Sequence, residues 1–586
     1  MMFAAASGLL TLAAGLFFSG FLALLLLQLD TALLQWNTYL RYINTIDLPQ
    51  VQPYAGKIKA GGIIGFGLPL LGYVGLLFLL FKPARRSAHG DARFATRADL
   101  AKAGLLKDTP TGIVLGKFGN DLIRLGGQQH VILTAPTRSG KTVGVAIPVL
   151  LTFEDSIVAL DIKGELVATT SGWRQSQGHQ VCVWAPFTED RITHRFNPFM
   201  CVSRDPDLRI NQLQSIGAIL YPDDPNKDPF WINQSRSAFF AFALYMFENW
   251  DDLERQQFPL CGDPNVSPLF PSFERIYRLS SGDGSDPKAQ LRKLMAQAFV
   301  GDKTRTAFAN LLSQAEETFS SILGSMQEPL HMFLNPILAA ATNACDFDVG
   351  ELRRRKMTVY VVVSPNKLGE ARKILNIFFS MVLARNTSEM PGEHPAIKHQ
   401  CLLLMDEFTA MGRVDILASS ISYTAGYWMR SLPIIQSLSQ LDATYGADVA
   451  RTFVTNHAAS IVFAPREQRD AEEYSKMLGD TTVRRRQRST SHGQSGNVSY
   501  TEIEERRELM KPQELKALGG DSQIIFYEGC PHPIKCSKIK YYRDKYFEER
   551  LLSKVNIPPL NFGKTSAPNQ SAWPQISDLA RQRLGS

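Results

Sequence analysis

Cysteine is scarce in this chain, and its positive and negative charges nearly balance. Seven cysteines are spread over 586 residues, without a Cys-x-x-Cys pair and without a histidine at the spacing of a zinc site. This pattern argues against a disulfide-stapled secreted domain and a zinc module, and it indicates reduced thiols in the cytoplasm. The formal net charge of +7 is modest for this length. The charge therefore allows contact with DNA or anionic lipid without requiring it.

Charged side chains are absent from two long stretches near the N-terminus. Residues 2–29 carry none, and a second uncharged run, 60–81, lies between Lys59 and Lys82. We expect transmembrane helices near 8–29 and 60–81, because each run is long enough to cross the ~30 Å hydrocarbon layer. A cleaved signal peptide is the alternative for the first run. It is disfavoured because no basic segment precedes the run, whose apolar part exceeds the ~7–15 residues of such peptides.

Basic residues crowd directly after the second apolar run. They are Lys82, Arg85, Arg86, Arg93 and Arg97. Positive charge is retained on the cytoplasmic side of a membrane, so residues 1–90 are expected to form a two-pass anchor. Both termini and the bulk of the chain would face the cytoplasm, and only a short loop near 30–59 would lie outside.

Short apolar runs without polar alternation recur along the rest of the chain. They are 156–160, 181–184, 359–363, 401–405, 433–435, 460–463 and 524–527. Strands of this kind are buried on both faces, as in a mostly parallel sheet that is covered by helices. The predicted fold class is α/β.

The strand-like runs give way to helical periodicity in the middle of the chain. Between 204 and 345, apolar residues recur at helical spacing, which predicts an all-α domain. This domain would be inserted between two parts of a nucleotide-binding domain, 91–203 and 346–560. Residues 484–504 lack apolar periodicity and predict a mobile loop, and the polar, proline-containing tail 561–586 is expected to be flexible.

A phosphate-binding loop of the Walker A type follows the apolar run Val131–Leu133. The loop consists of Ala135, Pro136, Thr137, Arg138, Ser139, Gly140, Lys141 and Thr142. Ala135 stands where the pattern normally has its first glycine. A turn between a buried strand and a helix start directs several backbone N–H groups at one point, where the helix dipole adds about half a positive charge. We expect this loop to bind ATP, with Lys141 on the β- and γ-phosphates and Thr142 on Mg²⁺.

An acidic pair of the Walker B type, Asp406-Glu407, ends the run 401–405. Carboxyl ends of neighbouring parallel strands meet at one edge of a sheet, so the pair is expected beside the phosphate loop. We assign Asp406 to Mg²⁺ and Glu407 to the attacking water of ATP hydrolysis. Gln436, at the end of the next strand, is expected to sense the γ-phosphate. The alternatives are a helix N-cap for the acidic pair and a polar strand cap for Gln436.

Other nucleotide-binding classes receive less support. The chain has no LSGGQ-like motif of transporter cassettes, and its nearest counterpart to the guanine-reading NKxD motif, Asn366–Gly369, lacks the aspartate. The charged turn Asp161–Glu165 reaches either the nucleotide, a neighbouring subunit or only solvent. The basic clusters Arg353–Lys356 and Arg484–Arg488 either neutralise DNA phosphates or form solvated faces.

Several separate segments together resemble one protein family. They are Ala135–Thr142, Asp161–Glu165, Arg195–Phe199, Asp228–Trp231, Leu403–Phe408, Ala425–Tyr427, Gln436–Leu441 and Lys540–Tyr542. From its two apolar runs to about residue 547, the chain resembles the type IV secretion system coupling proteins, which are conjugation ATPases of the TraG/VirD type.

The resemblance implies an architecture and a task. It implies a homohexamer in the bacterial inner membrane, with a RecA-like P-loop motor and the all-α domain at its cytoplasmic mouth. Such a motor recruits relaxase–DNA complexes or protein effectors and passes them to the inner-membrane components of a secretion channel, with non-specific contact to the DNA backbone. Some members carry an arginine that acts on a neighbouring subunit where this chain has Tyr423-Thr424. The remaining candidates for that arginine are Arg413, Arg430, Arg451 and Arg466.

Two other functions share parts of this pattern. A DNA pump of the chromosome-partitioning type has the same motor but more membrane spans and a DNA-reading C-terminal module. A membrane receptor that binds ATP without hydrolysing it would not need Glu407, which serves water activation more than binding.

Overall fold

The computed structural model describes residues 2–80 and 89–560, with gaps at 225, 259–260, 262, 266, 268, 283, 285 and 491–497. These residues fall into two compact units, which divide between Ala88 and His89. The expected flexible tail 561–586 lies outside the described residues.

The first unit is helical. Its helices are α1 (Met2–Leu26), α2 (Thr38–Asn44) and α3 (Ala55–Leu80). Small residues line the contact between α1 and α3, where a Cβ atom added to Gly65 would lie 2.5 Å from the Cα of Ser19. Close packing at glycine and serine is typical of helix pairs in lipid, where van der Waals contact drives association.

One membrane span is supported among the described residues. The segment Gln52–Gly75 is long and apolar enough to cross a bilayer, whereas the apolar segment Leu10–Leu26 of α1 is shorter. The first helix ends at Leu26 rather than near residue 29, because Gln28 adopts a left-handed backbone with φ +57°. The two-span arrangement stays a prediction.

Thirteen strands lie in the described part of the second unit. They are β1 (Ile113–Phe118), β2 (Asp121–Leu125), β3 (Val131–Thr134), β4 (Ser156–Asp161), β5 (Gln180–Trp184), β6 (Met357–Val362), β7 (Cys401–Met405), β8 (Met429–Ile435), β9 (Ala459–Val462), β10 (Asp480–Thr490), β11 (Val498–Glu508), β12 (Ser522–Tyr527) and β13 (Ile534–Ser537).

Eleven of these strands form one sheet in the order β2-β1-β13-β12-β9-β3-β8-β7-β4-β6-β5. From β9 to β5 all neighbours are parallel, and β12, β13, β1 and β2 add an antiparallel edge. The predicted α/β class with a largely parallel sheet is confirmed.

The register of three central strands brings their carboxyl ends to one edge. Thr134 of β3 lies opposite Ile435 of β8, and Met405 of β7 lies opposite Pro433 of β8. The residues that follow these strands therefore emerge side by side, which is where parallel sheets bind ligands.

Helices cover the sheet and fill the middle of the chain. Those attached to the sheet are α4 (Arg97–Lys102), α5 (Ile147–Thr152), α6 (Glu165–Ser176), α14 (Leu368–Asn386), α15 (Asp415–Thr424), α16 (Leu438–Tyr445), α17 (Ala447–Thr455), α18 (Gln468–Leu478), α19 (Pro512–Lys516) and α20 (Lys545–Glu548). Those between Pro206 and Ala341 are α7 (Pro206–Leu220), α8 (Pro229–Arg255), α9 (Phe273–Ser281), α10 (Pro287–Met295), α11 (Asp302–Leu312), α12 (Glu316–Gln327) and α13 (Pro336–Ala341).

Aromatic side chains join the middle helices to the sheet. Trp184 of β5 stacks on Phe378 of α14 with ring centroids 5.0 Å apart. Phe199, in the chain that leaves β5, meets Phe273 of α9 at 4.8 Å. These rings belong to one continuous cluster of buried hydrophobic residues that extends through both regions. The middle helices and the sheet therefore share one hydrophobic core.

The expected mobile loop at 484–504 is wrong for 484–490 and 498–504, whereas 491–497 lie outside the described residues. β10 and β11 pair in antiparallel fashion as a separate two-stranded ribbon that begins with Asp480 opposite Glu508. Across the ribbon, Arg484 Nε donates to Glu504 Oε1 at 3.0 Å. Opposite charges face each other across the two strands. Because apolar and polar residues do not alternate along either strand, the hydropathy pattern does not predict a strand here.

Candidate nucleotide-binding site

The phosphate loop begins as a continuation of β3. Ala135 is buried and its N–H donates to Ile435 O at 2.9 Å, so its backbone extends the sheet. Its φ is not among the positive values of the described backbone. Alanine is therefore accommodated where the pattern normally has glycine, since this position does not need the left-handed region.

A tight turn follows. Ser139 N donates to Pro136 O at 3.3 Å, and the Ser139 hydroxyl donates to the same oxygen at 2.5 Å. Arg138 and Gly140 adopt left-handed φ values of +58° and +84°. Two left-handed residues in three positions curl the chain tightly, as expected of a loop that directs several N–H groups at one point.

Lys141 lies at the start of a helical segment and is buried. A π-helical turn, Thr142–Ala146, leads into α5. The Lys141 side chain is 9% exposed, and its Nζ lies 3.8 Å from Asp406 Oδ1 and forms an ion pair with Glu407 Oε1. The loop lysine and both predicted acidic residues therefore meet at one edge of the sheet.

Glu407 is held by both of its carboxylate oxygens. Lys141 pairs with Oε1, while Gln436 Nε2 donates to Oε2 at 2.6 Å. The backbone of Glu407 is left-handed, with φ +57°. A non-glycine residue in this region costs of order 1 kcal/mol, and such residues are concentrated at functional sites. The structure thus brings Lys141, Asp406, Glu407 and Gln436 together, in agreement with the sequence pattern.

Asp406 has the environment of a cation ligand. The residue is 5% exposed, and within the described chain its Oδ1 has no hydrogen-bond donor. Burial raises the pKa of Asp406 to about 6 against the opposing effect of Lys141, and Glu407 and Asp161 each add a smaller increase. A buried carboxylate oxygen without a donor fits a hard cation such as Mg²⁺, which prefers oxygen ligands. The Thr142 hydroxyl, one residue after Lys141, offers a second oxygen ligand for such a cation.

The charged turn after β4 has a structural role. Asp161 is buried, and its carboxylate accepts hydrogen bonds from the N–H groups of Lys163 at 3.3 Å and Val167 at 2.9 Å. The contact with Val167 satisfies an N–H group in the first turn of α6, which has no partner within the helix, and the contact with Lys163 fixes the turn before it. Burial raises the pKa of Asp161. Of the three alternatives for this segment, contact with solvent alone is wrong for Asp161.

The arginine candidates separate by burial. Arg430 is fully buried and donates to the carbonyl oxygens of Gln129 at 2.9 Å, Thr111 at 2.7 Å and Leu125 at 3.1 Å. Burial lowers the pKa of Arg430 to about 9. Arg430 therefore links β8 to three backbone segments of its own subunit. It is removed as a candidate for action on a neighbour.

The other candidates are exposed. Arg413 pairs with Asp415 at 2.5 Å, and Arg451 lies on the surface of α17. Arg466 Nη1 donates to Thr137 Oγ1 of the phosphate loop at 3.4 Å within the same chain. Arg466 thus contacts the phosphate loop of its own chain, whereas action of Arg413 or Arg451 on a neighbour stays a prediction.

One basic residue at the loop was missed. Lys538, which directly follows β13, donates from Nζ to Ser139 O at 3.2 Å. It is separated from Ser139 by 399 positions in the sequence. Its only sequence signal is its place two residues before the family-like segment Lys540–Tyr542.

The fold and the site define a class of protein. A strand, a tightly curled loop and a buried lysine stand opposite two carboxylates that follow a parallel strand of the same sheet. This arrangement is that of a P-loop nucleotide-binding α/β protein.

Comparison with known proteins identifies the family within this class. The family described as type IV secretory system conjugative DNA transfer matches residues 87–559. The chain belongs to this family, the coupling proteins of conjugative DNA transfer and type IV secretion. The resemblance seen in the sequence segments is confirmed.

Individual relatives agree with this assignment. The chain is 29% identical over 493 residues to protein VirD4 of Rhizobium rhizogenes, which covers 82% of this chain and 69% of the relative. It is 26% identical over 553 residues to the conjugal transfer protein TraG of Escherichia coli, with 85% and 84% covered.

Solved structures show the same fold. The plasmid coupling protein TrwB in complex with ADP and Mg²⁺ has a TM-score of 0.53 at 16% identity, covering 82% of this chain and 98% of that one. TrwB with the non-hydrolysable ATP analogue ADPNP has a TM-score of 0.54 at 16% identity, covering 83% and 100%. At this identity, the likeness establishes the fold.

Proposed function

We propose that this chain is an inner-membrane ATPase that recruits relaxase–DNA complexes or protein substrates and drives their delivery to a type IV secretion channel. The observation that carries the proposal is the meeting of Lys141, Asp406, Glu407 and Gln436 at the mouth of the phosphate loop. Binding alone would need the loop and its lysine. The carboxylate held between Lys141 and Gln436 adds a group that can activate water.

Triphosphate binding changes the partner of Lys141. The ammonium group of Lys141 pairs with Glu407, and incoming β- and γ-phosphates compete for the same charge. Backbone N–H groups of the loop bind the phosphate oxygens, and the start of the helical segment adds its dipole. Asp406 and the Thr142 hydroxyl would hold Mg²⁺, which supplies neutralisation of phosphate charge when bound.

Hydrolysis depends on the released carboxylate. Once Lys141 turns to the phosphates, Glu407 Oε1 is free to accept a proton from water, while Gln436 keeps Oε2 in place. Phosphoryl transfer depends on positioned charge more than on covalent chemistry. Lys141 and Glu407 therefore supply most of the charge that the protein must place around the reacting phosphate. Gln436 is one hydrogen bond from the base and is placed to report the presence of the γ-phosphate to it.

Assembly and topology complete the proposal. We assign residues 91–203 and 346–560 to a RecA-like motor and 204–345 to an all-α domain at the cytoplasmic mouth of a homohexamer. Residues 1–90 form a two-pass anchor in the inner membrane. Family membership supports work with DNA and the secretion machinery. Backbone contacts from six subunits suffice for DNA translocation, so a strongly basic surface is not needed.

The experiment is ATP turnover by the purified full-length chain in detergent, with and without single-stranded DNA. We expect Mg²⁺-dependent hydrolysis that Lys141→Ala reduces at least a hundredfold, because the triphosphate loses its principal cation. The half-buried Lys367, which is paired with Glu370, gives the matched control Lys367→Ala, which should retain turnover. Equal turnover by wild type and Lys141→Ala would disprove the ATPase. ATP binding without turnover in the wild type would instead identify a receptor.

A further inference from the structure

The antiparallel edge of the sheet reaches the phosphate loop through one side chain. Lys538 follows β13, and its backbone is fixed because its N–H donates to Asp521 O at 2.8 Å. Its ammonium group lies 3.8 Å from the ring centroid of Phe463, the buried residue that follows β9. From this position Nζ donates to the carbonyl oxygen of Ser139 at 3.2 Å. The backbone hydrogen bond to Asp521 and the contact with the Phe463 ring therefore direct the Lys538 side chain at the loop.

The carbonyl of Ser139 shares a peptide unit with the N–H of Gly140. The described backbone has no cis peptide bonds. In a trans unit the C=O and the N–H point in opposite directions. A donor that holds the Ser139 oxygen on one side therefore directs the Gly140 N–H to the opposite side. It also polarises that N–H, because hydrogen bonds in a chain strengthen one another.

Gly140 is the loop position most in need of such a constraint. It has φ +84°, and a Cβ atom added there would have open space around it. Neighbouring side chains therefore do not restrict this glycine, and glycine visits both signs of φ about equally. The hydrogen bond from Lys538 to the adjacent carbonyl restricts the peptide plane instead.

We propose that Lys538 is a positioning residue of the nucleotide site, which orients the Gly140 N–H toward a bound phosphate by holding the Ser139 carbonyl. The inference rests on the proposed nucleotide binding and extends it to a residue of the C-terminal strands. The ligand class is the β-phosphate of a nucleoside di- or triphosphate.

The test is the affinity of the full-length chain for MgADP, measured by calorimetry at pH 7. Lys538→Met keeps the length of the side chain but loses the donor, and we expect about tenfold weaker binding. Lys538→Arg restores a charged donor and should bind within about threefold of wild type. Lys535→Met is the matched control, because Lys535 is an exposed lysine of β13, three residues before Lys538, and lies over Phe94, 5.7 Å from that ring centroid.

A pH series separates positioning from packing. Burial lowers the pKa of Lys538 to about 8, against the opposing effect of Asp521 and with a further decrease from Lys540. Because the protonated form is the stronger donor, wild-type affinity should fall between pH 7 and pH 9 toward that of Lys538→Met. Lys538→Arg should keep its affinity over this range. At pH 9 it should therefore bind more tightly than wild type, even if Lys538→Met fails to fold.

Two results would overturn the inference. They are wild-type affinity in a folded Lys538→Met, and equal affinities of wild type and Lys538→Arg at pH 9. Lys141→Ala separates this failure from that of the proposed function. If Lys141→Ala abolishes MgADP binding while Lys538→Met does not change it, only the role of Lys538 is lost. If wild type itself does not bind MgADP, the nucleotide site is lost as well.

Discussion

Replacement of Glu407 by glutamine should change turnover and affinity in opposite directions. The amide cannot take the proton of the attacking water, and loss of a general base costs about 10²–10⁴-fold in rate. The same change removes the ion pair between Lys141 and Glu407, whose side chains are 9% and 19% exposed. That pair competes with the triphosphate for Lys141. Its removal, worth about 1 kcal/mol, should tighten ATP binding about fivefold.

The assay combines steady-state ATP hydrolysis with calorimetric binding of ATP to full-length Glu407→Gln. Asp415→Asn is the matched control, because it makes the same carboxyl-to-amide change at a side chain that is 73% exposed and paired with Arg413. The control should leave both quantities within about twofold of wild type. Turnover of Glu407→Gln within threefold of wild type would refute the water-activating role. Weaker ATP binding by this variant would refute the competition for Lys141.

Four further predictions concern the metal ligand, a buried arginine and the membrane anchor. The pKa of Asp406 is raised to about 6, so its charged form is disfavoured in the folded protein. Asp406→Asn should therefore raise the melting temperature of the Mg²⁺-free protein at pH 7.5 by a few degrees. The same variant should abolish Mg²⁺-dependent nucleotide binding, because it loses the carboxylate ligand. For the same reason, wild-type Mg²⁺ affinity should fall as the pH drops from 7.5 to 5.5. Arg430→Met should destabilise the fold by about 3 kcal/mol, because two part-buried carbonyls and one buried carbonyl lose their donor. A large loss of turnover at unchanged melting temperature would contradict this structural role. A reporter fused after residue 45 should be periplasmic and one after residue 95 cytoplasmic, and the reverse pattern would overturn the orientation.

The parts of the site that follow parallel strands were predictable from local sequence. The loop 135–142 and the pair Asp406-Glu407 each come directly after a buried apolar run, and parallel pairing brings such ends together. Gln436 was found by the same rule. Their roles in binding and hydrolysis stay predictions, although their proximity is a feature of the structure.

The contacts that cross the fold were not predictable in this way. Lys538 approaches the loop from 399 residues away, and no periodicity links an antiparallel edge strand to a loop. Arg430 looked like any other charged residue, because its three partners are backbone carbonyls without a sequence signal. The β10–β11 ribbon was missed for a related reason. Charged cross-strand partners replace the apolar face that identifies most strands.

The aromatic rings between β5 and the middle helices have a mechanical consequence. Trp184, Phe378, Phe199 and Phe273 belong to one close-packed cluster, and close-packed interiors transmit displacement with little compression. The helices from Pro206 to Ala341 are thus packed rigidly against the sheet, without a flexible hinge between them. A displacement of the strands would therefore be passed on to these helices, and removing the helices would expose the aromatic side chains to water.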